Sequence, residues 1–166
     1  MVKTIDEYLA RVQALKDRVN EAENAQELKA VAQEIRTIIQ EVNHEMKKNI
    51  GQRVEIRIDR FTEKMKPNRE LMERAKVRLQ NLRNRGVELN GMDTSFEECQ
   101  RMLEEGQGLL DQAKGKFEQL QQLPLENQEQ GSILMHDGMT MVQGARRSYE
   151  KARLECPGVM RKLKVE

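Results

Sequence analysis

TSFEECQRMLEEGQGLLDQAKGKFEQL, residues 94–120, carries the most regular apolar repeat in the chain and decides the fold. Phe96, Leu103, Leu110 and Phe117 recur every seven residues. Cys99, Gly106, Ala113 and Leu120 form a second row three positions on. Spacings of three and four keep such residues on one face of an α-helix, and their heptad alternation is the seam of a coiled coil or helical bundle. Small residues in the second row let a neighbouring helix come close, trading the lower helix propensity of glycine for dispersion contact. Thr94 and Glu97 match a capping box, so the helix is expected to begin there, and Pro124 to end it.

Working backwards, GVELNGMD at 86–93 reads as a loop, and before it lies a long apolar register. Ile58, Met65, Met72 and Leu79 form one row; Val54, Phe61, Asn68, Ala75 and Leu82 form the other. The phase survives Pro67. Either one helix runs from about 25 to 85 with a kink at Pro67, or Pro67 opens a new helix. The unbroken phase favours the continuous helix, about 90 Å long at 1.5 Å per residue. Further back, Val42, Met46, Ile50, Val54 and Ile58 step by four, a stutter that rotates the apolar stripe around the helix.

At the N-terminal end Thr4 and Glu7 match another capping box. Ile5, Val12 and Val19 share one heptad position, and Tyr8, Leu15 and Ala22 the other. Asn24, with Glu27 three residues on, is an N-cap for a second helix carrying Leu28, Ile35 and Val42, with Val31 and Ile38 interleaved. The short turn implies an antiparallel hairpin with Val19 near Leu28, Val12 near Ile35 and Ile5 near Val42. At the other end, Met135, Val142, Tyr149 and Cys156 recur every seven, beside a small row of Gly138, Ala145 and Ala152. That helix is expected over 132–155, stopped by Pro157-Gly158, with a short basic tail.

The expected architecture is therefore all-α: an elongated antiparallel helical bundle or coiled coil of four or five helices, with a long central helix kinked or broken near Pro67. Residues 1–166 form a single domain, made of a helical hairpin at about 4–46, a bundle at about 50–156 and a tail at 157–166. Alanine, Glu, Lys, Leu and Arg dominate, aromatics are 3% and 34% of residues are charged. The helical period of the apolar residues argues against disorder. No apolar run approaches the roughly 18 residues of a membrane span, and no secretory leader is evident, so a cytoplasmic setting is expected.

Charge is segregated beneath a net +1. Residues 1–43 carry net −2, 44–85 net +7, 86–131 net −7 and 132–166 net +3. Arg53, Arg57, Arg60 and Lys64 lie on one helical face; Glu97, Glu104, Asp111 and Glu118 recur every seven on another. These eight residues are the candidate interaction surface. Folding at the 86–93 loop pairs Leu82 with Phe96 and Ile58 with Leu120. It would set Arg74 against Glu104 and Arg60 against Glu118, an internal zipper that fixes register more than it stabilises. Otherwise the basic stripe is free for an acidic protein, a nucleic acid or lipid head groups. The scarcity of aromatics argues against single-stranded nucleic acid.

No catalytic, cofactor or metal signature stands out. Glu41 and His44 have the E-x-x-H spacing of di-iron bundles, but His136 has Ile133 three residues before it, so a second motif is missing and His44 reads as a surface residue. Cys99 and Cys156 both fall at core heptad positions. They read as two buried thiols, and a turn near 127–128 would set them opposite each other, within reach of a disulfide. Met135, Met139 and Met141 either pack the bundle or join Leu134 in an adaptable patch. Ser95, Ser132 and Ser148 have no triad context, and phosphate-loop and nucleophile-elbow patterns are absent. The expectation is a non-enzymatic protein–protein interaction module, a helical adaptor, chaperone or assembly component without a cofactor. It is expected to bind protein partners and to form a homo-oligomer. The alternative is binding of an anionic polymer or membrane surface through 44–85.

Overall fold

A computed structural model describes residues 2–163, with side chains from residue 5 onward. Four helices follow one another: α1 (Val2–Glu21), α2 (Ala25–Asn84), α3 (Met92–Gln122) and α4 (Gln128–Leu163). No strand occurs among the described residues. The α2–α3–α4 segment forms a three-helix body, and α1 packs against α2 alone.

The punctuation follows local chemistry. Asn24 caps α2: its Oδ1 accepts from the Gln26 and Glu27 amides at 3.0 and 2.9 Å. Glu27 reaches back to accept the Glu23 amide at 2.9 Å, so three otherwise orphaned donors are satisfied. At the other end of α2, Gly86 takes a left-handed conformation (φ 69°). Its amide donates to the Arg83 carbonyl at 3.0 Å, and the Val87 amide donates to the Leu82 carbonyl at 3.1 Å, a Schellman closure. The expected start of α1 at Thr4 is corrected to Val2, and the Thr4–Glu7 capping box lies outside the described side chains. The Thr94–Glu97 box is corrected too. Helix α3 begins two residues earlier at Met92, behind a left-handed Gly91, and Asp93 accepts the Thr94 amide at 3.0 Å. That bond holds the Asp93 carboxyl below its usual range.

Helix α2 runs through Pro67 without a break, so no new helix opens there; its 60 residues correspond to about 90 Å. Losing one backbone bond at an interior proline costs about 3 kcal/mol. Packing on both sides of Pro67 offsets it, with Ile58 in one core cluster and Met72, Ala75 and Leu79 in the other.

Three expectations about α4 and its neighbours are corrected. The helix starts at Gln128, not Ser132, and it passes through Pro157 to Leu163 instead of stopping at 155. The predicted tail is thus helix up to Leu163 with one face in the core, and 164–166 lie outside the described residues. Val159, Met160 and Leu163 are buried against Met72, Leu79, Phe96 and Cys99. At about 1.5–3 kcal/mol for each buried side chain, that gain exceeds the roughly 3 kcal/mol cost of the proline. His44, read as a surface residue, is buried at 6% exposure.

The hairpin buries one of the two expected rows, and the expected neighbours Val12 and Ile35 edge a cleft on its open side. Leu15, Val31 and Ile38 are buried, with Tyr8 and Val42 packed against them. Ile5, Val12, Val19, Leu28 and Ile35 stay 39–52% exposed. Ion pairs between Arg11 and Glu41, and between Arg18 and Glu34 (2.6 Å), flank the seam.

Candidate interaction groove

Close approach of α3 and α4 comes first. Gly106 on α3 receives the Tyr149 ring, and Gly138 on α4 receives the Phe117 ring. Phe117, Leu120 and Ala113 are fully buried between the helices. One glycine of each small row, Gly106 and Gly138, is therefore a socket for an aromatic side chain.

Helix α4 meets α2 at its two ends and where Tyr149 touches Phe61, with open space beside those contacts. These two helices run in the same direction. Lys47 Nζ donates to the Gln128 carbonyl (3.2 Å) and to Ser132 Oγ (2.7 Å) at one end, and Met72 and Leu79 share a cluster with Met160 and Leu163 at the other. Between those ends α4 presents Met139, Val142, Ala145, Tyr149 and Ala152 toward α2. The result is an open groove of about 1080 Å³. Val54, Phe61, Met65, Leu71 and Met72 form one wall, and Met139, Val142, Ala145, Tyr149, Ala152 and Met160 form the other. Leu103 and Leu110 of α3 make the floor.

Phe61 and Tyr149 meet edge-on across the groove, with ring centroids 4.9 Å apart. Tyr149 Oη donates to Gln107 Oε1 at 3.3 Å, and the same oxygen accepts from Arg69. Burial pushes the Tyr149 phenol up, with Arg69 partly opposing the shift.

The rim is basic. Arg57, Arg146, Arg153 and Arg161 line it beside one acid, Glu150, which pairs with Arg146 at 2.8 Å. Arg161 Nε donates to the Pro157 carbonyl at 3.3 Å. Among the described residues Arg57 and Arg153 make no ion pair.

Of the eight residues of the predicted surface, all are exposed and only Arg57 lines the groove. Glu97 lies 3.8 Å from Arg83, Glu104 accepts from Gln100 and Asp111 accepts from Gln107. The expected Arg60–Glu118 contact is corrected. Glu118 sits beside Glu55 and Lys114, and Lys114 bonds Asp59 at 2.8 Å, a pair of the opposite polarity. Near the loop the expected register nearly holds, with Arg83 at Asp93. It slips farther away, so that Gln121 reaches the Lys48 carbonyl at 2.9 Å. The slip grows across the four-residue steps at 42–58, which rotate the stripe of α2 and preclude one fixed heptad pairing.

Cys99 and Cys156 do lie together, hydrogen-bonded and without a disulfide. Burial raises both thiols, and the bond to Cys99 raises Cys156 further. Leu134 is core, Met135 and Met141 pack against it, and Met139 alone of that trio faces the groove at 37% exposure. Among the described residues no cluster of three His, Cys, Asp or Glu could hold a metal ion, and no helix is long and apolar enough to cross a membrane.

Comparison with family models, with curated proteins and with solved structures finds no match. The groove is therefore read on its own chemistry. Sequence reasoning missed Phe61, Met65 and Tyr149 as groove walls and Arg146, Arg153 and Arg161 as rim. One signal was present: Arg146 and Arg153 directly follow Ala145 and Ala152, so a short core residue and a cation recur together every seven positions.

Proposed function

We propose that the chain is a non-enzymatic protein–protein interaction module, a helical adaptor, chaperone or assembly component, whose groove takes an acidic amphipathic helix from a partner. One observation carries this reading: an open apolar groove whose arginines are spread along its length and largely lack internal carboxylate partners. Val54 to Met72 on α2 and Met139 to Arg161 on α4 correspond to roughly 27–33 Å of helix, the length of an 18–22-residue segment. A helix laid in a groove buries its i, i+3, i+4, i+7 face and keeps the other face in water, which suits an open site better than an enclosed one. A lipid tail brings one head group to one end, whereas Arg57 and Arg161 mark opposite ends here. Methionine walls adapt to varied side chains. Rim charges act mainly on choice of partner and speed of encounter.

The test uses a fluorescein-labelled 20-residue peptide with Leu at heptad core positions and Glu on the flanks, read by fluorescence anisotropy. The expected result is saturable binding, at least tenfold weaker for the same peptide with Lys in place of Glu, and abolished by Met139→Glu. Equal binding of the two peptides overturns the proposal. So does steep salt-dependent binding of heparin or anionic vesicles with no binding of the peptide, which transfers the basic segment 44–85 to an anionic polymer or membrane surface.

A further inference from the structure

The arm formed by α1 and the first half of α2 has an apolar face wider than one hairpin can cover. Two helices packed alone need a narrow seam, whereas a bundle helix carries a broader apolar stripe on adjacent heptad positions. Here one row (Leu15, Val31, Ile38) is buried inside the hairpin, and a second set remains outside. Leu9 and Ile39 are 62% and 53% exposed, and Ile5, Val12, Val19, Leu28 and Ile35 accompany them. Val12, Val19, Ile35 and Ile39, with one charged side chain, Lys16, edge one cleft of about 190 Å³ whose bottom is Leu15 and Ile38, so these exposed residues share the open side of the hairpin. No other helix of the described chain covers it, because α1 packs on α2 alone.

We propose that this open face is closed by the same face of a second copy, giving a four-helix bundle about a two-fold axis. Charge allows it. Residues 1–43 carry 6 basic and 8 acidic side chains, and the flanks are already paired as Arg11–Glu41 and Arg18–Glu34. The groove rim, by contrast, is basic on both walls and would repel a copy of itself. Area allows it too. Burying the exposed half of these seven side chains on each copy removes roughly 400–850 Å² of apolar surface in the dimer, at about 60–120 Å² for each fully buried aliphatic side chain. With homodimer interfaces about 65% apolar, that scales to about 650–1,300 Å² in total, whose upper end reaches the lower bound of a stable interface. An isologous contact puts Val12 and Ile35 of each copy against their counterparts, and a two-fold axis closes the assembly at two chains. The grooves lie outside the arm, so the dimer presents two of them and gains by avidity on a partner with two acidic helices.

Sedimentation equilibrium of the full chain over 1–100 µM tests this. The expected mass is about twice the 19.4 kDa of one chain. Val12→Glu with Ile35→Glu should return it to one chain, weakening association at least a hundredfold, with far-UV helicity retained. If that variant loses helicity, Leu9→Glu with Ile39→Glu, at the most exposed pair, decides by the same readout. A wild-type mass of one chain at 100 µM overturns the proposal. So does a dimer that survives the arm substitutions, or one lost instead on Met139→Glu. The peptide test above reads the groove separately, so either proposal can fail without the other.

Discussion

The Tyr149 ring lies directly over Gly106: a Cβ built on that glycine would come within 2.9 Å of Cε2 and 3.0 Å of Cζ. An aromatic knob from α4 thus fills a socket that exists only because α3 has no side chain there. Gly108, two residues on, meets nothing within 4 Å. The same substitution should therefore have opposite signs at the two sites. Gly106→Ala gains about 1 kcal/mol of helix propensity but forces a buried ring to move, at roughly 1–3 kcal/mol, and should lower the melting temperature. Gly108→Ala keeps the propensity gain and should raise it. Thermal unfolding of the two variants side by side checks the pair.

Val159, Met160 and Leu163, beyond Pro157, are core. Leu163 is 1% exposed, against Met72, Leu79, Phe96 and Cys99. Leu163→Ala should cost about 2–5 kcal/mol, the range for a buried leucine. Pro157→Ala should stabilise by up to about 3 kcal/mol, because it restores an interior helical bond and the structure already accepts a helix there. Urea denaturation would show both, and a Leu163→Ala variant as stable as the parent would return the segment to a tail.

That segment shows what was legible and what was not. Heptads mark the helices, the Asn24 cap and the aromatic and small rows of α3 and α4, because those signals are local. Pro157-Gly158 reads as a stop because propensity is local too, while the burial of Val159, Met160 and Leu163 that overrides it depends on partners 60–90 residues away. The hairpin seam departs from expectation for a related reason. Ile5, Val12 and Val19 are as apolar as Tyr8 and Leu15, and only the crossing geometry chooses which row faces inward. The groove is hidden in the sequence because its walls come from α2 and α4, whose separation is set by how each packs on α3.

Glu55 is held against its own sign. Burial raises its carboxyl above the usual range, Glu118 across the interface raises it further and Lys114 opposes the rise. A raised carboxyl favours the native state while protonated and loses that contribution as pH rises through its folded value. Glu55→Gln should therefore leave stability unchanged or slightly higher at pH 7. Its difference from the parent should shrink toward pH 4. Lys114→Ala removes the opposing cation and should make the remaining acidic cluster more sensitive to pH. Melting temperatures across pH 4–7 test both, and a clear loss of stability in Glu55→Gln at pH 7 would refute the electrostatic reading.

Cys99 and Cys156 make the last prediction, on the alkaline side. Both folded thiols are raised above the ordinary value of 9.0, chiefly by burial. In the unfolded chain they ionise near that ordinary value, so above about pH 9 the unfolded state sheds protons that the native state keeps. Stability from this pair is thus fully present below about pH 9 and falls as pH rises beyond it. Tyr149, also raised by burial from 10.0, adds to the same slope. Because the thiolate is the reactive form, iodoacetamide should label native Cys99 and Cys156 far more slowly than a denatured control at pH 8. Labelling should accelerate about tenfold per pH unit without levelling off up to pH 10. The oxidant diamide, which takes two electrons and two protons from a thiol pair, should convert neighbouring Cys99 and Cys156 into an intramolecular disulfide joining α3 to α4. Rapid alkylation of native protein at pH 8, or diamide products that are only intermolecular, would show that the two thiols are neither buried nor paired.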